Sequence, residues 1–296
     1  MISIKFKMFC LCLKYKYMMK LLAREIQKKH KRYLHKINGQ RFVRHFNLHA
    51  AIFNNNTKLT YKNNKYFVEN KFGYSWSFDG VPQGIYCYID GLQKRKESIF
   101  EQYLLHEINL QNLDVVIDCG SHNGDFYLAI SDYSPNYYGF EPSPYVFETL
   151  EHNLKKSGNF PKKQINIFNE ALWSTSNETL SFFIKDEIGD SSLIRPPSYS
   201  SEMKVLTRTL DDVIDRIDRN IKLIKVEAEG AEPEVLQGLS KNIKNVEYVV
   251  IDCGFERGEE QSTTIMQCTE FMLKNNFRFI NFASFRTICL FKNKNF

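Results

Sequence analysis

No run in this 296-residue chain approaches the ~18 consecutive apolar residues of a membrane-spanning helix. The first residues, MISIKFKMFCLCLKYKYMMKLL, mix lysine through their apolar positions and lack an A-x-A-like cleavage site, which makes a poor secretory signal. The seven cysteines form no zinc pattern: Cys10 and Cys12 are too close for a C-x-x-C half-site, and no second cluster completes one. Cys119, Cys253 and Cys289 lie in or beside apolar runs, where a thiol acts as a small hydrophobe, and a reducing, cytoplasmic compartment fits best. No histidine and carboxylate cluster marks a metal centre, so no metal is expected. The G-x-G-x-x-G spacing of dinucleotide folds is missing as well.

Net positive charge is confined to one end. Residues 1–50 hold 13 Lys and Arg against the single acid Glu25, a net +12, while the remainder holds 27 against 33, a net −6. Within the basic segment, Leu11, Tyr15, Met18, Leu22, Ile26, Tyr33 and Ile37 recur every three to four residues or at multiples of that spacing, which predicts one face of a helix. Two readings stand: a helix packed on its own fold with a solvated basic face, or an interfacial helix resting on an anionic membrane surface. Nucleic acid is not an expected partner, because nothing after residue 50 continues the basic surface.

The rest divides into a β-rich extension at 51–110 and an α/β unit at 111–296. Aromatic-rich runs between polar turn signals predict a β meander over about 57–90, and RKESIFEQYLLHEINL predicts a helix leading into the first core strand. Fully apolar strands are predicted at 114–119, 137–141, 165–171, 221–227 and 246–252. They alternate with helices at about 124–132, 143–156, 231–241 and 261–275, the pattern of a parallel sheet covered on both faces. FRFINFA and TICLFK add a terminal antiparallel hairpin, and an insertion at about 175–206 carries its own strand, ETLSFFI. IDCG occurs at 117–120 and again at 251–254, as two strand ends built from similar residues.

Ligands of such sheets bind outside the carboxyl ends of the strands, where strand order reverses. Four strand ends carry polar residues. In DCGSHNG, Gly120 and Gly124 permit a sharp turn and close backbone approach, with Ser121, His122 and Asn123 between them. Asp118 ahead of the turn suits a cationic ligand group and would repel a pyrophosphate. In FEPSP, Glu141 is placed to accept from two ribose hydroxyls, with Pro142 and Ser143 beside it. In FNEAL, Glu170 and Ala171 fall where an adenine would lie. KVEAEGAE supplies Glu227 and Glu229, and Asp252 ends the fifth strand. These acids are the candidates for a catalytic base. Glu227 leads, although Lys225, inside a doubly buried strand, also needs a charged partner. Glu229 and Glu232 also suit capping of the next helix.

VVIDCGSHNGDF, GFEPSPYVFETLEHNL, NEALWS, VLTRTLDDVI and LIKVEAEGAEPEVLQGL together resemble the FkbM-type methyltransferases, in order and spacing, over about residues 112–293. The resemblance implies a Rossmann-like class I methyltransferase fold with a mostly parallel seven-stranded sheet, S-adenosyl-L-methionine as cofactor, and O-methyl transfer to a hydroxyl of a glycan, polysaccharide or glycolipid. It matches Asp118, Gly120 and Gly124 to the donor turn and Glu141 to the ribose-binding acid. The family's K-I-D-V-E-G becomes Lys225-Val226-Glu227-Ala228-Glu229-Gly230 here, which moves one carboxylate a methylene further out. EPSPY at 141–145 is not the N/D-P-P-Y of amino-group methyltransferases, which belongs after the fourth strand, and this favours an oxygen acceptor. The alternatives are an NAD-linked oxidoreductase and a non-catalytic protein that kept the cofactor site.

Overall fold

The computed structural model describes residues 29, 32–34, 36–53, 56–63, 65–70, 75–79, 82–185, 191–284 and 286–296. Its centre is one seven-stranded sheet. In chain order the strands are β4 (Val115–Cys119), β5 (Asn136–Phe140), β6 (Ile165–Phe168), β10 (Ile221–Val226), β11 (Val246–Asp252), β14 (Phe277–Ala283) and β15 (Ile288–Asn293). They lie side by side as β14-β15-β11-β10-β4-β5-β6, all parallel except that β15 runs antiparallel to both β11 and β14.

All five residues of β4 are buried because each face has its own cover. Val116 joins one apolar cluster, whereas Val115, Ile117 and Cys119 join another on the opposite side. This alternation explains why the strand is apolar on both faces apart from Asp118. Helices α3 (Asp125–Ile130) and α4 (Pro144–Glu151) follow β4 and β5. α5 (Leu210–Ile214) precedes β10, α6 (Glu232–Gln237) follows it, and α7 (Ile265–Lys274) follows β11. The strand order reverses between β4 and β10, and the carboxyl ends of these two strands open the crevice where ligands of such sheets bind.

The N-terminal part is not an independent body. α1 (Gly39–Phe53) buries Phe42, Val43, Phe46, His49 and Ala50, a three-to-four spacing, against an antiparallel meander of β1 (Thr57–Lys62), β2 (Lys65–Asn70) and β3 (Ser75–Asp79). Its side chains share one cluster with Val116, Phe126 and Tyr137 of the central unit. Asn47 pairs with both backbone groups of Leu59, at 2.9 and 2.7 Å. At the other edge of the meander, the Oδ1 of buried Asn153 accepts from the amide of Ser77 at 2.7 Å, while its Nδ2 donates to the carbonyls of Ser77 and Asn123 at 3.1 and 2.9 Å. Asn159 does the same for Ser75, at 3.2 and 2.7 Å. Two asparagines thus close an otherwise open strand edge and join it to the turn after β4.

Three expectations change. The meander ends at Asp79, and GIYCYI is not a strand: residues 82–86 are helical. The buried positions there are Ile85, Tyr88 and Ile89, a helical spacing, and Pro82 opens the helix. The third core strand stops at Phe168, and Ala171–Leu172 (β7) pairs instead with β9 (Ser201–Arg208), which also pairs with β8 (Thr179–Ile184). The helix expected from residue 261 begins at Ile265, because Ser262–Thr263 (β13) pairs with Phe255–Arg257 (β12) in a small hairpin. The helix expected across Leu11–Ile37 lies almost wholly outside the described residues. Leu34 and Ile37 at its end pack into the core.

Candidate active site

The turn after β4 is held by hydrogen bonds to the neighbouring strands. The amides of Gly120 and Ser121 both donate to the carbonyl of Phe140, at 3.1 and 2.9 Å, and the amide of Glu227 donates to the carbonyl of Cys119 at 3.2 Å. Gly120 has φ +74°, and a Cβ there would fall 2.0 Å from the carbonyl oxygen of Glu227. Only glycine fits at this strand crossing. Gly124 has φ +94° where the chain enters α3, and its amide donates to the carbonyl of Ser121 at 2.8 Å.

Glu141, just past the end of β5, is brought against this turn. Its two carboxylate oxygens accept from the amides of His122 and Ser143, at 3.0 and 2.9 Å. Burial pushes its carboxyl up to about 7, against the pull of those two amides. Asn169 donates to the carbonyls of Glu141 and Pro142, at 2.9 and 3.0 Å, and so fixes the end of the next strand to the same place. Glu170 carries a salt bridge to Arg208 at 2.7 Å, and Ala171 begins β7.

The ends of β4 and β10 are joined by Lys225. In the parallel ladder it stands opposite Asp118, so both side chains emerge on one face. The buried ammonium lies 3.0 Å from Asp118 and 3.0 Å from Glu227, and it donates to the carbonyls of Gly120 and Cys119 at 2.7 and 3.2 Å. Burial opposes its charge, but Asp118 and Glu227 outweigh that and raise its pKa well above the ordinary lysine value. Asp118 is 0% exposed and also accepts from the hydroxyl of Tyr137. Its carboxylate is therefore turned to Lys225 inside the protein, where the sequence reading had turned it to a cationic ligand. A lysine that must stay charged in the interior requires it there.

Glu227 is bound on every side. Besides Lys225, it accepts from the hydroxyl of Tyr103, and Arg286 donates to its other oxygen at 2.9 Å. Burial alone would raise its pKa. Lys225, Arg286 and Tyr103 together hold it well below the usual carboxylate range. Arg286 also reaches Asp252 at 3.1 Å and so stands between the two acids. Asp252 moves the other way: burial and the neighbouring Glu227 charge push its carboxyl up to about 7 despite Arg286. Among the described residues, no group of three or more His, Cys, Asp or Glu is arranged to hold a metal ion.

Glu229 lies in the loop that follows β10, and Glu232 opens α6. Glu229 sits at φ +50°. Glu232 clasps the loop by accepting from the amides of Ala228 and Gly230, at 2.9 and 3.0 Å, and from the hydroxyl of Thr264 at 3.0 Å. Of the residues around the crevice, Tyr103, Tyr137 and Arg286 were not singled out from the sequence. The polar residues that were found lie at or just past the ends of the core strands. Tyr103 and Arg286 meet Glu227 from 124 and 59 positions away.

A sheet of this order, with one antiparallel strand set in beside the edge, a glycine turn after the first core strand and an acid just past the second, defines a Rossmann-like class I methyltransferase fold. The sequence profile of the methyltransferase FkbM domain matches residues 118–279, more than half of the chain, and the protein belongs to that family. No curated protein matches it. Similar solved structures include magnesium protoporphyrin IX methyltransferase from Synechocystis PCC 6803 with bound SAM, at 11% identity over 73% of this chain and 85% of that one, TM-score 0.40. Fibrillarin from Aeropyrum pernix is similar at 11% identity over 79% and 96%, TM-score 0.39. Precorrin-6y C5,15-methyltransferase from Geobacter metallireducens GS-15 is similar at 9% identity over 67% and 86%, TM-score 0.39. The family assignment does not rest on these likenesses.

Replacing Lys225 should expose how much depends on it. Lys225→Met leaves two buried carboxylates without their shared cation, and urea unfolding should show a loss of about 3–5 kcal/mol. A loss below about 1 kcal/mol would show that Asp118 and Glu227 do not need the ammonium.

Proposed function

We propose that this protein transfers a methyl group from S-adenosyl-L-methionine to a hydroxyl oxygen, and that the acceptor is a sugar of a glycan or glycolipid. The carrying observation is Glu141, a carboxylate fixed by two backbone amides beside a glycine turn at the switch point of the sheet. An acid held there is suited to accept from a ribose diol. Acids, with every nearby cation already paired, surround the crevice at Glu141, Glu227 and Asp252, and such a lining disfavours the pyrophosphate of a nicotinamide dinucleotide. Gly120, whose backbone passes too close to Glu227 for any side chain, lets the turn leave β4 beside Glu141. The residues present therefore fit the methyl donor: Gly120, Ser121, His122, Asn123 and Gly124 along it, Glu141 on its ribose, and Pro142, Ser143, Glu170 and Ala171 toward its adenine. When bound, that donor supplies an electrophilic methyl on a positively charged sulfur.

The chain's own residues then have to orient a hydroxyl and take its proton. Glu227 is a poor base, because Lys225, Arg286 and Tyr103 stabilise its ionised form. Asp252 suits the task better, since its pKa is raised toward neutrality although Arg286 and the amide of Gly254 both reach its carboxylate. Arg286, linking the two acids, would hold the Asp252 carboxylate in place before it takes the proton. An oxygen acceptor is supported by the fourth strand, which ends in Glu227-Ala228-Glu229-Gly230 and carries no N/D-P-P-Y. Transfer of tritium from labelled donor into glycan or glycolipid fractions tests the acceptor class. Label recovered only in protein or nucleic acid would refute it.

Two variants test the roles. Glu141→Ala should weaken S-adenosylhomocysteine binding by about 1.5–3 kcal/mol in calorimetry, the scale of hydrogen bonds to a charged group. Only the ionised carboxylate accepts from both ribose hydroxyls, so wild-type affinity should rise as pH climbs through about 7, and the variant should lose that dependence. Unchanged affinity would remove Glu141 from the site. Asp252→Asn should keep that affinity but lower turnover ~10²-fold or more. Wild-type turnover should rise as pH passes up through about 7, where Asp252 gives up its proton. If turnover survives the substitution, the base lies elsewhere.

A further inference from the structure

The outward face of α1 is a part of the described surface that neither the fold nor the crevice explains. One side of this helix is packed through Phe42, Val43, Phe46 and Ala50. The other side presents Arg41 and Arg44 and, one and two turns on, Leu48 and Ile52, which are 52% and 61% exposed. Lys58 and Lys62 lie exposed on the adjoining strand β1. Two large aliphatic side chains left in water beside four exposed cations are not accounted for by packing.

We infer that this face rests on an anionic lipid bilayer, with Leu48 and Ile52 entering the headgroup boundary and the surrounding cations meeting lipid phosphates. Charge complementarity selects this occupant. Residues 1–50 carry 13 Lys and Arg with Glu25 as the single acid, whereas the rest of the chain is net negative, so attraction to an anionic surface would orient the molecule with this end down. The apolar component selects a bilayer over a nucleic acid, which offers phosphates but no place for exposed Leu48 and Ile52. Among the described residues no helix is long and apolar enough to cross a membrane, so the contact would be peripheral. The face is rigidly linked to the crevice: Asn47 ties α1 to β1, and Asn153 ties β3 to Asn123 in the turn after β4. The inference concerns where an acceptor carried by lipid would be met. It stands apart from the chemistry proposed above, because vesicle binding can be measured without any methyl donor.

Co-sedimentation of the full chain with phosphatidylserine-containing and pure phosphatidylcholine vesicles tests it. Binding to the anionic vesicles should be at least ~10-fold stronger and should weaken from 0.1 to 1 M salt, as the Debye length falls from ~10 to ~3 Å. Leu48→Ser with Ile52→Ser should reduce anionic binding ~10-fold, and Arg41→Gln with Arg44→Gln should reduce both the binding and its salt dependence. Neither pair should alter S-adenosylhomocysteine affinity, so a failed donor site and a failed membrane face give different results. Equal binding to both vesicle types, no loss in the Leu48 and Ile52 variant, or binding to a single-stranded RNA in place of vesicles would overturn the inference.

Discussion

A lysine ammonium buried between the ends of two parallel strands must be neutralised by something, and most of the crevice follows from that need. Lys225 and Asp118 face each other across the β4–β10 ladder, and Glu227 closes the group from the end of β10. The ammonium also holds the carbonyls of Cys119 and Gly120, so one cation fixes the backbone as it leaves the sheet. Such an arrangement costs desolvation of three charges, and its stabilising value lies in geometry more than in net energy. The turn that begins at Gly120 inherits its direction from it.

The two acids on either side of Arg286 stand in different surroundings. Glu227 lies next to Lys225 and is kept ionised. Asp252, a strand away, is reached by Arg286 and by the amide of Gly254 and is still left with a raised pKa. Neighbouring carboxylates whose environments drive their pKa values apart are a pattern of sites that do acid–base chemistry. Under the proposed function, the pattern moves the role of base from Glu227 to Asp252 and makes Glu227 a fixed anchor for Arg286.

Much of the central sheet was legible because strands buried on both faces leave mostly apolar runs, as in Val115–Cys119 and Val246–Asp252. The turn was legible because Gly120 and Gly124 are required by the backbone. The pairing of Lys225 with Glu227 was legible from burial alone. That Asp118 faces inward was not, since strand alternation gives the face of the sheet but not which acid a distant lysine takes. Tyr103 and Arg286 left no local signal, because their partner is Glu227 in another part of the chain. GIYCYI was misread because aromatic composition suggested a strand, whereas Ile85, Tyr88 and Ile89 follow a helical spacing.

A structure of the protein with S-adenosylhomocysteine tests the account most directly. The expected result is a nucleoside in the crevice between the carboxyl ends of β4 and β10, its ribose hydroxyls on the Glu141 carboxylate and its sulfur turned toward Asp252 and Arg286. A nucleoside bound away from Glu141, or a crevice that takes a nicotinamide dinucleotide and excludes S-adenosylhomocysteine, would contradict it.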